Sequence, residues 1–455
     1  MRTITFGDVD RSIVPKRNTC LNEAASGIAS TLAIFIGNTI YGVSELPRTA
    51  DVVVVGAGIC GVTAAEALAR RGARVVVVEK EPGPGLEQSG RAQGAIRVQG
   101  REAAELPLAM ESLEIWRSVA EHGDEFELRF GGNLYLCTTE DEVRQAAELR
   151  DTAHANGLTD VRLLTPDEAR EIVPAATGEF TAAMWSPGDA QCLPRGATEF
   201  FAKRAAAAGA SFSYSTLATR IVESGGAVSG VATTRGIVDA PAVIVTGGIW
   251  TAHLAATAGV RIPVMPVALS QCETEPIEPL MGPTLRCFEF GARQRPNGQL
   301  SMSAGMNAIV DHYLSLASLR HIRIWTRRYL ANHKSIRLRL DWRGRARERD
   351  ANRKLMDASL EAAGRMIPRL RDARIARYWT GVIDMSPDGL PILDGSTGVD
   401  GLVVVTGLSG HGLALGPAIG RIAAELATDG RTDRPIDAFS LRRFDGHTPI
   451  PKKML

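Results

Sequence analysis

The chain reads as an α/β protein of the mixed α+β kind, with a parallel-sheet domain built on a glycine-rich turn and a second domain of antiparallel strands. Three observations predict this. A valine run at 52–55 leads through glycines into a helical stretch and out into a second valine run at 75–78. Short apolar runs punctuated by turn residues then crowd positions 212–303, as serial antiparallel strands do. Another apolar run, at 402–405, opens through glycines into a long helical stretch near the C-terminus. Strands that alternate with helices build parallel sheets, whereas strands in series build antiparallel ones.

Residues 51–80 read DVVVVGAGICGVTAAEALARRGARVVVVEK. Four β-branched residues in a row suit a strand covered on both faces. Gly56, Gly58 and Gly61 follow as GxGxxG, and Ile59, Val62, Ala65 and Leu68 fall on one face of the helix they open. Gly72 stops that helix, and Glu79 closes the next strand eighteen residues after Gly61. The first glycine permits the tight turn, the second lets backbone approach a pyrophosphate, and the third lets helix pack on strand. Free N–H groups and the dipole at the helix start favour phosphate. Glu79 stands where an acid takes ribose hydroxyls. The motif therefore predicts a dinucleotide site, with Ile59, Cys60 and Lys80 beside the glycines. Cys60 is expected to pack rather than react.

The 455 residues give room for two or three structural domains. A net charge of +1 argues against a nucleic-acid-coating surface and against DNA as a partner. The six cysteines are scattered without a CxxC pair, which removes a zinc ribbon, an iron–sulfur cluster and a thioredoxin-like pair. Reduced thiols in a cytoplasmic protein, with no metal site, are the expectation. Residues 1–47 form an extension ahead of the first strand. Its apolar stretch at 28–43 is interrupted by polar residues and falls short of the ~20 needed to span a bilayer, so no stable membrane insertion is expected.

Beyond Glu79 a glycine-rich loop offers Ser89, Gly90, Arg91, Gln93 and Gly94, placed to pass over the cofactor. Periodicity predicts a helix over 107–122 capped by Gly123, and alternation about Gly131-Gly132 predicts a hairpin over 127–138. Thr165-Pro166-Asp167-Glu168 is a capping box. A helix is expected over 194–208, stopped by Gly209, then strands near 212–214, 220–222, 228–233 and 237–245. The last runs into Gly247, Gly248 and Trp250. Strands resume over 263–303 with a turn at 296–298. Residues 320–354 hold thirteen Lys or Arg and three acids, leaving 39 basic and 48 acidic residues elsewhere. This insert reads either as a docking surface for an acidic partner or RNA, or as a solvated helical face with Trp325, Tyr329, Leu338 and Leu340 turned inward. The second reading is favoured.

Residues 378–430 hold PDGLPI, the apolar run at 402–405 and GLSGHG, where Gly407, Gly410 and Gly412 open a helix with Leu415, Ile419, Ile422 and Leu426 on one face. A second helix start aims another positive dipole end at a ligand. Three separated glycine elements suit an extended flavin dinucleotide, whose ring gains negative charge on reduction.

On GAGICG with Glu79, SGRAQGAIR at 89–97, IVDAPAVIVTGGIW at 237–250, PDGLPI at 387–392 and GLSGHG at 407–412, the chain resembles the D-amino acid oxidase/sarcosine oxidase family of FAD-dependent oxidoreductases. The resemblance extends especially to sarcosine oxidase β-subunits and the related opine and hydroxyproline dehydrogenase subunits. The resemblance implies a Rossmann-like FAD-binding domain from 48–105, 190–262 and 376–440, and a substrate domain from 106–189 and 263–375. It implies hydride transfer to flavin from a carbon that bears nitrogen beside a carboxylate, in a small amine or amino acid substrate. It places Gly410, His411, Gly412 and Leu413 at the flavin's pyrimidine edge, with His411 as the side chain expected to act; its plain alternative is a helix cap. Where some members carry a flavin-linking cysteine this chain has Gly381, so FAD is expected to be non-covalent. A lysine that grips carboxylate in some members is absent after GLSGHG. Arg97 and Arg101, or Arg286 and Arg293, are the candidate replacements, against the plainer reading of surface arginines. The basic insert would dock a partner subunit. Two other readings are an FAD-dependent tRNA-modification enzyme and a non-catalytic flavin subunit.

Overall fold

The computed structural model describes residues 33–36, 39–42, 45–305, 308, 310–314, 321–326, 336–340 and 350–445. A six-stranded sheet forms one half of the protein. Its order is Ser211–Ser213, Val75–Val78, Val52–Val55, Ala242–Val245, Leu402–Thr406 and Ile392–Asp394. All neighbours run parallel except the last pair. The valine runs are buried throughout, as strands covered on both faces must be. From Val52–Val55 the chain first moves to one neighbour and later returns to the other. That reversal in strand order is where parallel sheets open a crevice for ligands.

Two helices lie together over that sheet. Ile59–Arg70 and Gly412–Asp429 approach so closely that a Cβ on Gly420 would sit 2.1 Å from Thr63 Oγ1, and one on Gly416 2.8 Å from Ile59. Glycines on the inner face are thus what bring two distant glycine-rich helix starts to one side of the sheet. Pro417 inside the second helix cannot donate to the Leu413 carbonyl. The Trp116 indole N–H donates to it instead, at 3.1 Å, so the break in the ladder is satisfied. Among the described residues no helix is long and apolar enough to cross a membrane.

The second half is a large, mostly antiparallel sheet. Its longest ladder pairs Met265–Thr274 with Ile375–Met385, and Leu300–Ala304 and Phe290–Gln294 continue the sheet to one side. Thr284–Arg286 joins Asn133–Cys137 in parallel. Separate apolar clusters underlie the two halves, one around Ile59, Trp116 and Ile419 and another around Leu134, Leu285 and Met302.

Several local expectations need correction. The predicted hairpin at 127–138 does not form. Gly132 instead takes φ +78, donates to the Asp189 carbonyl and leaves no room for a Cβ against Trp185, so Asn133–Cys137 pairs with Ala182–Ser186. The helix predicted over 107–122 ends at Arg117 and continues as a 3₁₀ turn, Ala120–Phe126. The run 237–245 splits at Ala240-Pro241: Gly236–Asp239 joins a small three-stranded sheet and Ala242–Val245 the parallel one. Within the insert, Trp325 is buried, but Leu338 and Leu340 on the strand Ile336–Leu340 are 46% and 59% exposed rather than turned inward. Tyr329 and most of the insert's cations lie outside the described residues, as do residues 1–32.

Candidate active site

A cavity of about 610 Å³ runs between the two halves. At one end lies the turn 56–61. Gly56 has φ +108, a conformation open to glycine. A Cβ on Gly61 would fall 2.0 Å from the Gly56 carbonyl oxygen, so Gly61 packs the helix onto the turn and does not itself face the cavity. Gly58, Ile59 and Cys60 line the cavity at the helix start. Ser89 Oγ accepts from the Ile59 N–H at 3.0 Å, marking where a phosphate oxygen would be held. Burial pushes the Cys60 thiol up to about 12, which makes it inert packing.

Glu79 comes next along the wall. Its carboxylate accepts from the Ala57 N–H at 2.7 Å and the Glu81 N–H at 2.8 Å, and burial raises its pKa against the pull of those amides. Lys80 bonds Glu87 at 2.5 Å and stands 4.2 Å over the Trp250 ring. Trp250, Gly247 and Gly248 complete this side.

The glycine-rich loop after Glu79 runs along the cavity. Ser89, Arg91, Gln93 and Gly94 line it, whereas Gly90 turns away and packs against Gly85. Gly94 takes φ +106, and a Cβ there would strike the Cys192 carbonyl and Arg293. Arg293 is therefore a buried prop: its Nε donates to the Gln93 carbonyl, and it does not line the cavity. Gly381 faces the cavity from the opposite ladder. Beside it Gln271 Oε1 and the Thr380 hydroxyl are buried without a partner among the described residues, as expected of a wall meant to meet a polar ring edge.

Gly410, His411, Gly412 and Leu413 line the wall where the C-terminal helix begins, next to the start of Ile59–Arg70. His411 Nδ1 lies 2.7 Å from Glu105 Oε1, and both residues are buried. Burial lowers the His411 pKa, and Arg101 adds to the effect. Burial alone would raise Glu105, but His411 and Arg101 more than offset it and hold the carboxyl below its usual value. The consistent state is a neutral imidazole whose Nδ1–H donates to a carboxylate, with a lone pair left on Nε2. Arg97, Arg101 and Arg286 also line this cavity and are not surface arginines. Burial lowers the pKa of all three, most for Arg97.

Two functional residues carry no sequence signal. Glu105 reaches His411 across 306 positions. Buried Asp384 accepts from the Gly407 N–H at 2.6 Å, Thr406 Oγ1 at 2.8 Å and Gln88 Nε2 at 2.9 Å, tying the crossing loop to the second glycine turn. Asp388 of PDGLPI has a structural task instead, an ion pair with Arg443 at 2.7 Å.

The model of the DAO family, FAD-dependent oxidoreductases, matches residues 51–426. The chain belongs to that family. The family's FAD fits the cavity just described, since both glycine turns, Glu79 and the unpartnered polar atoms face one continuous space. A glycine oxidase of Geobacillus kaustophilus is 27% identical over 413 residues, covering 88% of this chain and 98% of that protein. The sarcosine oxidase subunit beta of an Arthrobacter species is 26% identical over 416 residues, covering 89% and 93%. Among solved structures, L-proline dehydrogenase from P. horikoshii is similar with a TM-score of 0.75 and 26% identity, over 88% of this chain and 99% of that one. L-amino acid deaminase from Proteus myxofaciens shares the fold, with a TM-score of 0.80 at 23% identity over 91% and 97%.

Proposed function

We propose that this FAD-dependent oxidoreductase oxidises the C–N bond of a small amino or imino acid, or of an N-substituted amino acid of the sarcosine, proline or opine type. The observation that carries this reading is a shared cavity wall: buried Arg101 and half-buried Arg97 and Arg286, in the same cavity as a neutral imidazole on a carboxylate. Guanidiniums bind a carboxylate, and a neutral imidazole takes a proton. The relatives named for glycine, sarcosine and proline share an amine next to a carboxylate, which supports the same pairing here.

FAD, bound non-covalently because Gly381 offers no nucleophile, supplies the hydride acceptor. The start of Ile59–Arg70 would hold its phosphates and Glu79 its ribose. The start of Gly412–Asp429 would offer its dipole to the flavin's pyrimidine edge. Arg97, Arg101 and Arg286 orient the substrate carboxylate. His411 Nε2 takes the proton that the ammonium must lose before its carbon gives up hydride, and Glu105 fixes the tautomer. The imine so formed hydrolyses in water. Two relatives are by name subunits of a larger enzyme, which supports a partner subunit; co-purification tests it.

Mixing the purified flavoprotein anaerobically with glycine, sarcosine, proline and N-carboxyalkyl amino acids tests the reading. Bleaching of the visible flavin band by at least one, and by no amine lacking the carboxylate, is the expected result. Bleaching only by amines without a carboxylate would overturn it.

A further inference from the structure

The guanidinium cluster holds more cation than one carboxylate uses. Arg97 Nη1 donates to the Gln99 carbonyl at 3.2 Å, and Arg101 Nε donates to the Arg97 carbonyl at 3.0 Å. The Arg286 side chain makes no hydrogen bond or ion pair among the described residues, and among them Nη1 of both Arg101 and Arg286 is buried without an acceptor. Buried charged donors left open are rare, and they mark a place where a ligand completes the set. They come from two parts of the chain: Arg97 and Arg101 from the segment after the crossing loop, Arg286 from the strand Thr284–Arg286 of the large sheet.

The nearby acids are already committed. Glu105 bonds His411, and Asp189 accepts from the Val98 N–H at 2.8 Å and the Gln99 N–H at 3.4 Å. With His411 neutral, three guanidiniums face two carboxylates and one positive charge is in surplus. An ordinary amino acid enters at neutral pH as a zwitterion of zero net charge, so it leaves that surplus standing. One guanidinium can already grip a single carboxylate through both of its oxygens. An amino acid with a second carboxylate carries a net charge of −1 while its amine is protonated, and it offers a second fork for another guanidinium of the cluster.

We propose that the site is built for an aminodicarboxylate, one carboxylate meeting Arg286 and the other meeting Arg97 and Arg101. This rests on the amino-acid oxidation reading for its amine, but the acid recognition stands by itself. The second acid lies either on the nitrogen substituent or on the side chain.

The test uses the FAD-loaded protein and unreactive acids, so it needs no turnover. Acetate, propionate, malonate and succinate are titrated while the visible flavin spectrum is followed, with calorimetry as a second readout. A dicarboxylate is expected to bind about 10- to 100-fold tighter than the monocarboxylate, the effect of one added charge-assisted pair. Arg286→Gln and Arg101→Gln should each reduce that preference to below about 5-fold, with FAD retention and melting checked to exclude misfolding. Dicarboxylates that bind no tighter than acetate to the parent protein overturn the inference. So does a preference that survives both substitutions. Anaerobic reduction by iminodiacetate against aspartate then distinguishes the two positions of the second acid. If sarcosine or proline reduces the flavin better than both, this inference fails while amino-acid oxidation stands. If dicarboxylates bind tightly but no amine reduces the flavin, the proposed reaction fails and the acid site stands.

Discussion

Substituting Gly61 by alanine probes the geometry on which cofactor binding depends. The added Cβ would sit 2.0 Å from the Gly56 carbonyl oxygen and 2.7 Å from Thr246 Oγ1, where ordinary contact begins near 3.4 Å. The helix start must therefore retreat by more than an ångström from backbone that has nowhere to go, because Val55 and Gly56 are fixed in the central strand and its turn. Overpacking of this kind costs about 1–3 kcal/mol. The retreat withdraws the N–H groups that receive the phosphates, so FAD affinity falls by roughly 5- to 150-fold. Gly72→Ala is the matched control at the other end of the same helix. Nothing lies within 4 Å of its Cβ, but φ is +84, so strain of roughly 1–2 kcal/mol lowers the Tm without touching the cofactor. Titrating apoprotein with FAD by fluorescence quenching measures one effect, and calorimetry the other. Parent-like FAD affinity in Gly61→Ala, or equal affinity losses in both variants, would refute the packing argument.

Other outcomes follow from the same site. Burial, Arg101 and Arg97 depress the His411 pKa against the attraction of Glu105; Glu105→Gln removes that attraction, so the acid limb of anaerobic flavin reduction against pH should move lower still. The maximal rate should drop by about 10- to 100-fold as the base weakens, and a limb that rises in stopped-flow measurements contradicts the dyad. Asp384→Ala strands the Gly407 N–H, the Thr406 hydroxyl and the Gln88 amide, and should cost about 2–4 kcal/mol in calorimetry together with weaker FAD retention. Acid precipitation should release all flavin into the supernatant, because Gly381 provides no linking atom; flavin remaining with the pellet would show a covalent bond formed elsewhere.

What the sequence disclosed follows the range of the forces involved. The valine strands, the two glycine-opened helices and the Thr165 capping box are local, set by burial period and turn chemistry within a few residues, and they were legible. Gly131-Gly132 misled because a glycine pair signals a turn without saying what approaches it, and Trp185 is the reason that one is there. Pro241 marks a change of sheet that β-branched residues on both sides conceal. Glu105, Asp384 and the choice of Arg286 over Arg293 depend on contacts between segments far apart in the chain, for which spacing carries no signal. Two arginines seven positions apart on neighbouring strands look alike in sequence. One props a glycine loop, and the other is left open in the cavity.

The most direct test is a crystal structure of the flavin-loaded protein with an unreactive carboxylate such as malonate. The pyrophosphate should lie at the start of Ile59–Arg70 and the flavin ring between Gly94, Gly381 and residues 410–413. The acid should lie over that ring within hydrogen-bonding distance of Arg286 and Arg101, with His411 Nε2 facing the reacting position. An acid bound away from all three arginines, or a ring remote from His411, would contradict the mechanism.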